Sequence, residues 1–214
     1  MMIFCAGLLL VTLDPGSGYA GYLIFWALVW AAGMFEAVRL ASSRSAISRK
    51  VLGLEQRTVV AAIWMLAISV SCWQLVSLGA KAFVLFFVVA LFDIGGWVGG
   101  KTLGRLAPFS HRIFPTTSPN KTLGGLLVSI TLGAAAWWWV FTGYGLVSAP
   151  GNADTLGFLV LAAFAIFGDW FESKLKRLAG VKDAGTLIPG FGGVLDRFDS
   201  IFWVAIGTLV YLAF

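Results

Sequence analysis

Between Ser173 and Asp199 the chain reads SKLKRLAGVKDAGTLIPGFGGVLDRFD. Lys174, Lys176, Arg177, Lys182, Asp183, Asp196, Arg197 and Asp199 fall within this glycine-rich stretch, while most of the flanking sequence is apolar. Charge held beside hydrocarbon is costly and points to function. Bases beside carboxylates and glycines suit a phosphate-bearing ligand together with a divalent cation. Just upstream, Asp169, Glu172, Ser173 and Lys176 share one helix face. Asp196 and Asp199 share another at i and i+3. Asp169 and Asp196 are placed to meet across the loop and hold a cation, for which hard oxygen ligands favour magnesium over zinc. Lys176, Arg177, Lys182 and Arg197 would neutralise phosphates. The alternative is a basic loop paired with its own acids and gripping anionic headgroups.

Two further clusters carry similar chemistry. In DIGGWVGGKTLGR, Asp93, Gly96, Gly100 and Gly104 fall on one helical face. That face is either a small-residue packing stripe or the wall of a polar site. Asp93 favours the second, because an acid within a span usually faces something polar. In SPNKTLGG, Ser118 or the preceding Thr117 is expected to cap a helix, with Pro119 in its first turn. A helix start with Ser118, Lys121 and Thr122 is a natural phosphate seat, or else an ordinary cap at a membrane surface. The glycine spacing of a Walker loop is absent. His111, the only histidine, reads as a solvated loop residue.

The elements that position these clusters are membrane spans. Of 214 residues, 59% are hydrophobic and 12% charged, about half the charged share of soluble domains. A soluble globular domain is thereby excluded. The length accommodates about six or seven spanning helices of roughly 20 residues, so a single membrane domain over 1–214 is expected. Within it, residues 1–89 supply N-terminal spans and 90–214 the motif-bearing half. Apolar runs lie at about 1–13, 19–38, 58–78, 82–100, 123–147, 155–172 and 201–214. The first is short for a span, and its start lacks the pattern of a cleaved leader. Cys5 and Cys72 both sit in apolar runs and read as inert.

Charge divides the loops into two sets. Arg39 to Arg57, Lys101 to Lys121 and the segment from Lys174 are basic, whereas the intervening loops near Asp14, Lys81 and Asp154 hold a single base. By the positive-inside rule the basic loops face the cytoplasm, and the net charge of +5 needs no nucleic-acid partner. Asp93, Asp169, Glu172, Asp183, Asp196 and Asp199 all lie on that side. The fold expected is thus an all-α polytopic bundle with a polar cavity open to the cytoplasm.

Taken together, the motifs resemble the phosphatidate cytidylyltransferase (CDP-diacylglycerol synthase) family. The matching residues are Ser173, Lys176-Arg177, Lys182-Asp183, Pro189-Gly190-Phe191-Gly192-Gly193 and Asp196-Arg197-Phe198-Asp199, with Ser118-Pro119, Lys121-Thr122, and Asp93, Gly100 and Gly104 upstream. Phe191 stands where the family usually has histidine, and Gly124 where an acid often follows the Lys-Thr pair.

The resemblance implies cytidylyl transfer from CTP to phosphatidic acid, while the small size and the lack of a targeting segment point to a prokaryotic inner membrane. In that reading Asp169, Asp196 and Asp199 are magnesium ligands, with a monovalent cation as a further candidate. Lys176, Arg177, Lys182 and Arg197 face the departing pyrophosphate. Asp93, Ser118, Lys121, Thr122, Ser173 and Asp183 belong to the substrate site. Acceptors such as an isoprenoid phosphate or alcohol, and a non-catalytic lipid-binding role, are the alternatives. The resemblance makes a homodimer an option, with no sequence feature arguing for one.

Overall fold

The computed structural model describes residues 18–42, 54–79, 81–143, 152–187 and 192–212. Six long helices occupy most of them: α1 Gly18–Ser42, α2 Leu54–Leu78, α3 Lys81–Lys101, α4 Leu123–Gly143, α5 Asn152–Ala179 and α6 Leu195–Leu212. All but α6 contain a stretch long and apolar enough to cross a membrane. The described residues therefore form a helical integral membrane protein. The apolar run at 1–13, the Pro189-Gly190-Phe191 part of the glycine-rich turn and Cys5 lie outside the described residues.

The helices form where apolar residues run without a breaker, and they pack around aromatic side chains. Trp26, Trp64, Leu75, Leu195, Ile201 and Phe202 are fully buried, while Leu28, Leu66, Trp73 and Trp139 are exposed on the outside, the surface that lipid would cover. Polar ties join α2 to α6 within the bundle. The Ser71 hydroxyl donates to the Phe202 carbonyl at 2.6 Å, and Gln74 Nε2 donates to Thr208 Oγ1 at 3.1 Å. Such bonds satisfy polar groups where water is scarce.

Two features of the sequence-derived layout change. First, α5 and α6 outrun their apolar stretches. α5 continues through Lys176 and Arg177 to Ala179, and α6 begins at Leu195, ahead of the apolar run from 201. Gly180 ends α5 with a φ of 74°. The Val181 N–H reaches back to the Lys176 carbonyl at 3.0 Å and the Gly180 N–H to the Arg177 carbonyl at 3.1 Å. This is the Schellman arrangement that a left-handed glycine permits.

Second, the loop between α3 and α4 is not featureless. After a 3-10 turn at Leu103–Arg105, strand β1 (Arg112–Phe114) pairs antiparallel with β2 (Ser118–Thr122), setting Arg112 opposite Thr122 and Phe114 opposite Ser118. Ser118 and Thr117 therefore do not cap α4, and Pro119 lies in a strand. Thr122 takes the capping role, its Oγ1 accepting the Gly125 N–H at 3.2 Å.

α3 and α4 approach each other closely along glycines. A methyl on Gly95 would stand 2.7 Å from the Val128 carbonyl oxygen. Gly99 meets the Gly124 carbonyl oxygen and Val128 at similar range. The stripe expected at Gly96, Gly100 and Gly104 is thus partly displaced: Gly95 and Gly99 are the positions pressed onto backbone, whereas Gly100 has nothing nearer than Thr122 Oγ1 at 3.9 Å.

Candidate functional site

A cavity of about 390 Å³ lies where α3, β2, α4, α5 and α6 converge. Asp93 from α3, Ser118, Lys121 and Thr122 from β2, Asp169 from α5, and Asp196 and Asp199 from α6 all line it. Residues separated by more than a hundred positions thus share one space. Asp169 lies near the end of the apolar run of α5, and Asp196 and Asp199 lie on the part of α6 that precedes its apolar run, so rigid backbone sets their spacing. Gly168 permits this approach, because a methyl there would stand 2.7 Å from the Asp199 carbonyl oxygen.

A second tier of polar side chains fixes the lining. Lys176 Nζ bridges Glu172 Oε2 and Asp196 Oδ1, each at 2.7 Å. Asp196 Oδ2 accepts the Gly193 and Ala184 N–H groups, both at 2.8 Å. Burial alone would raise the Asp196 carboxyl's pKa. The lysine and the two backbone donors outweigh it and hold the pKa below its ordinary value. Ser173 Oγ donates to Asp169 Oδ1 at 3.4 Å, and Asp169 also pairs with Lys121. Burial lowers the Lys121 ammonium's pKa, with Asp199 and Asp93 pulling the other way. Arg177 Nε donates to the Thr117 carbonyl at 3.3 Å, and Phe114 packs near Trp170, so the hairpin is tied to α5.

The expected site residues therefore divide by position. Ser173, Lys176 and Arg177 stand behind the lining. Lys182, Asp183 and Arg197 are exposed and outside it. The α4 start differs from a free phosphate seat. The Leu123 N–H is bound to the His111 carbonyl at 2.8 Å, the Gly124 N–H to the Phe109 carbonyl at 3.0 Å, and the Gly125 N–H to Thr122. An anion entering here would meet the Lys121 ammonium instead of free backbone donors.

The Gly124 departure has a packing reason. A methyl at this position would lie 2.6 Å from the Gly104 nitrogen and 2.8 Å from the Leu103 carbonyl carbon. The turn after α3 occupies the space a side chain would need.

One buried carboxylate beside the site escaped the sequence reading. Glu36 of α1 is 1% exposed, and its carboxylate accepts the Val194 and Leu195 N–H groups at 3.0 and 2.9 Å. Its signal was available: it is an acid inside the run 19–38, the same argument that drew attention to Asp93.

The lining carries four carboxylates, Asp93, Asp169, Asp196 and Asp199, against one base, Lys121. A phosphate-bearing ligand would be repelled unless cations accompanied it. Among the described residues, no three His, Cys, Asp or Glu side chains converge as a ready-made metal cage. Magnesium suits this donor set, because it is commonly held by one or two carboxylates with substrate phosphates completing its shell.

The whole chain, residues 1–214, matches the family model described as the Cytidylyltransferase family. A phosphatidate cytidylyltransferase of Helicobacter pylori is 43% identical over 137 residues, 64% of this chain and 48% of the relative. One of Staphylococcus aureus is 38% identical over 123 residues, 56% of this chain and 44% of the relative. One of Staphylococcus haemolyticus is 37% identical over a stretch of the same length. These matches thus span about half the length of the curated relatives. The chain belongs to the Cytidylyltransferase family.

Proposed function

We propose that this member of the Cytidylyltransferase family transfers a cytidylyl group from CTP to phosphatidic acid. A phosphate oxygen of the lipid attacks the α-phosphorus of CTP. The bond from that phosphorus to the β-phosphate oxygen breaks, and CDP-diacylglycerol and pyrophosphate result. The observation that carries the reading is the single cavity lined by all three motif clusters, with carboxylates in excess and one lysine among them. The names of the relatives support the choice of CTP and phosphatidate.

The reaction asks little covalent chemistry of the protein, so positioning and charge dominate. Asp169, Asp196 and Asp199 would hold magnesium. When bound, magnesium neutralises nucleotide phosphate charge and polarises the phosphoryl oxygens. Lys121 attracts phosphate from the β2 side, beside the Ser118 and Thr122 hydroxyls. Asp93 shapes the α3 wall. Lys176 and Ser173 act from behind by fixing Asp196 and Asp169, and Arg177 fixes the hairpin that carries Lys121. Lys182 and Arg197 offer charge at the protein surface to the departing pyrophosphate, with Asp183 beside Lys182 in the substrate-site turn.

The diacyl tails stay in the bilayer while the headgroup reaches the cavity. The cavity lies at the same end of the helices as Lys101, Lys174 and Arg177, the set that the positive-inside rule assigns to the cytoplasm. We therefore place the protein in a prokaryotic cytoplasmic membrane with its site facing the cytoplasm.

The test is product identification. Purified protein with CTP and magnesium is offered phosphatidic acid, an isoprenoid phosphate or an isoprenoid alcohol, and the lipids are analysed by mass spectrometry. CDP-diacylglycerol from phosphatidic acid, absent with Asp199→Asn, is the expected result. A cytidylylated product from an isoprenoid acceptor alone would contradict the lipid assignment.

A further inference from the structure

Glu36 sits near the end of α1, with its carboxylate buried among backbone groups. Its Oε1 accepts the Val194 N–H and its Oε2 the Leu195 N–H, the amides at the start of α6. Among the described residues, no lysine or arginine forms a salt bridge with it. A carboxylate this buried is costly without compensation, and here two backbone donors and the positive end of a helix supply it. The carboxylate also lies against Gly185 and Gly193, and a methyl on either would collide with it.

These are the two turns that hold Asp196. Ala184, next to Gly185, and Gly193 itself donate their N–H groups to Asp196 Oδ2. Glu36 and Asp196 therefore both hold the same two pieces of chain. Asp199 follows three residues later on the helix whose first turn Glu36 caps.

We infer that Glu36 is a positioning residue for the cavity: it fixes the start of α6 and the turns at Gly185 and Gly193, and so sets where Asp196 and Asp199 stand. It also fills the anion seat at the α6 start with a protein carboxylate, which leaves substrate phosphates to Lys121 and the cations. The first helix, 158 residues from Val194 in sequence, is thereby part of the site's construction. The catalytic part of this inference rests on the transfer reading above.

The test combines amide hydrogen exchange with kinetics on the full-length protein in detergent, comparing the parent, Glu36→Gln and Glu36→Ala. In Glu36→Ala, exchange in the peptide covering residues 192–196 should quicken about tenfold or more, because two charge-assisted bonds are lost. Peptides of α3 and α4 should keep the parent's rates. Turnover should fall about tenfold to a hundredfold, as misplacement by an ångström costs, while the KM for CTP stays within about threefold. Glu36→Gln keeps the volume and one acceptor oxygen. It should fall between the two and serves if the alanine variant does not fold.

Unchanged exchange at 192–196 would overturn the assignment. So would faster exchange with the parent's turnover, since the fixed turn would then not serve the reaction. A parent protein without transfer activity would contradict the transfer reading, while the exchange comparison would still decide whether Glu36 holds these turns.

Discussion

Replacing Lys176 with methionine probes the tier behind the cavity most sharply. The Lys176 side chain is 14% exposed and lies 2.7 Å from both Glu172 Oε2 and Asp196 Oδ1, whose side chains are 0% and 6% exposed. Besides the lysine, the neighbour that acts most on Glu172 is Asp199 of α6. Methionine keeps most of the stem's packing and removes the charge, leaving Glu172 and Asp196 without the ammonium they share, with Asp199 close to Glu172. Removing one partner of a buried pair costs about 3–5 kcal/mol. The partial exposure of Lys176 favours the lower end. At about 3 kcal/mol, and about 2–4 °C per kcal/mol for a chain of this size, Tm should fall by about 6–12 °C.

The assay is thermal unfolding in detergent, followed by tryptophan fluorescence. Adding Glu172→Gln to Lys176→Met should recover a substantial part of the loss, because it removes one of the two stranded charges. Transfer should be abolished in the single variant through the displaced Asp196. A Tm shift under about 2 °C, or a double variant no better than the single, would refute the view that this lysine neutralises both acids.

Two other outcomes follow from the geometry. Gly99→Ala should destabilise the protein by about 1–3 kcal/mol by forcing α3 away from α4, whereas Gly100→Ala, with its nearest neighbour 3.9 Å away, should be tolerated in the same unfolding assay. Asp196 has a folded pKa below its ordinary value, so its stabilising contribution is present above about pH 4 and is lost as pH falls through the folded value. The Tm difference between the parent and Asp196→Asn should therefore be greatest above about pH 5 and shrink below about pH 4. A difference that grew on acidification would contradict the sign.

Much of the architecture was legible because hydropathy and loop charge are strong signals in a chain this apolar. The six runs from 19–38 onward correspond to α1 to α6. The helix ends were less legible, because hydropathy marks where a helix is apolar and says little about where it stops. α5 carries Asp169 and Glu172 at the end of its apolar run and Lys176 a turn beyond it, and Gly180 ends the helix. Asp196 and Asp199 likewise precede the apolar part of α6.

The hairpin was missed for a different reason. Ser118-Pro-Asn-Lys-Thr has poor strand propensity, and its pairing with Arg112–Phe114 is a tertiary choice that overrides local preference. The site was readable as three clusters of charge, and their meeting was implied by the family resemblance. Glu36 was not found. Its partners are backbone amides 158 residues away, which carry no side-chain signature, and its own position inside an apolar run was the only cue. The division between lining residues and those behind them was also invisible. Lys176 and Lys121 look alike in sequence, yet one is locked between two carboxylates and the other faces the cavity.

The most direct test of the central claim is pyrophosphate release by the purified protein, measured with CTP, magnesium and phosphatidic acid together and with each omitted. Release that needs all three and disappears with EDTA is the predicted result. Folded protein that releases no pyrophosphate in the complete mixture, or that releases it equally without phosphatidic acid, would contradict the account.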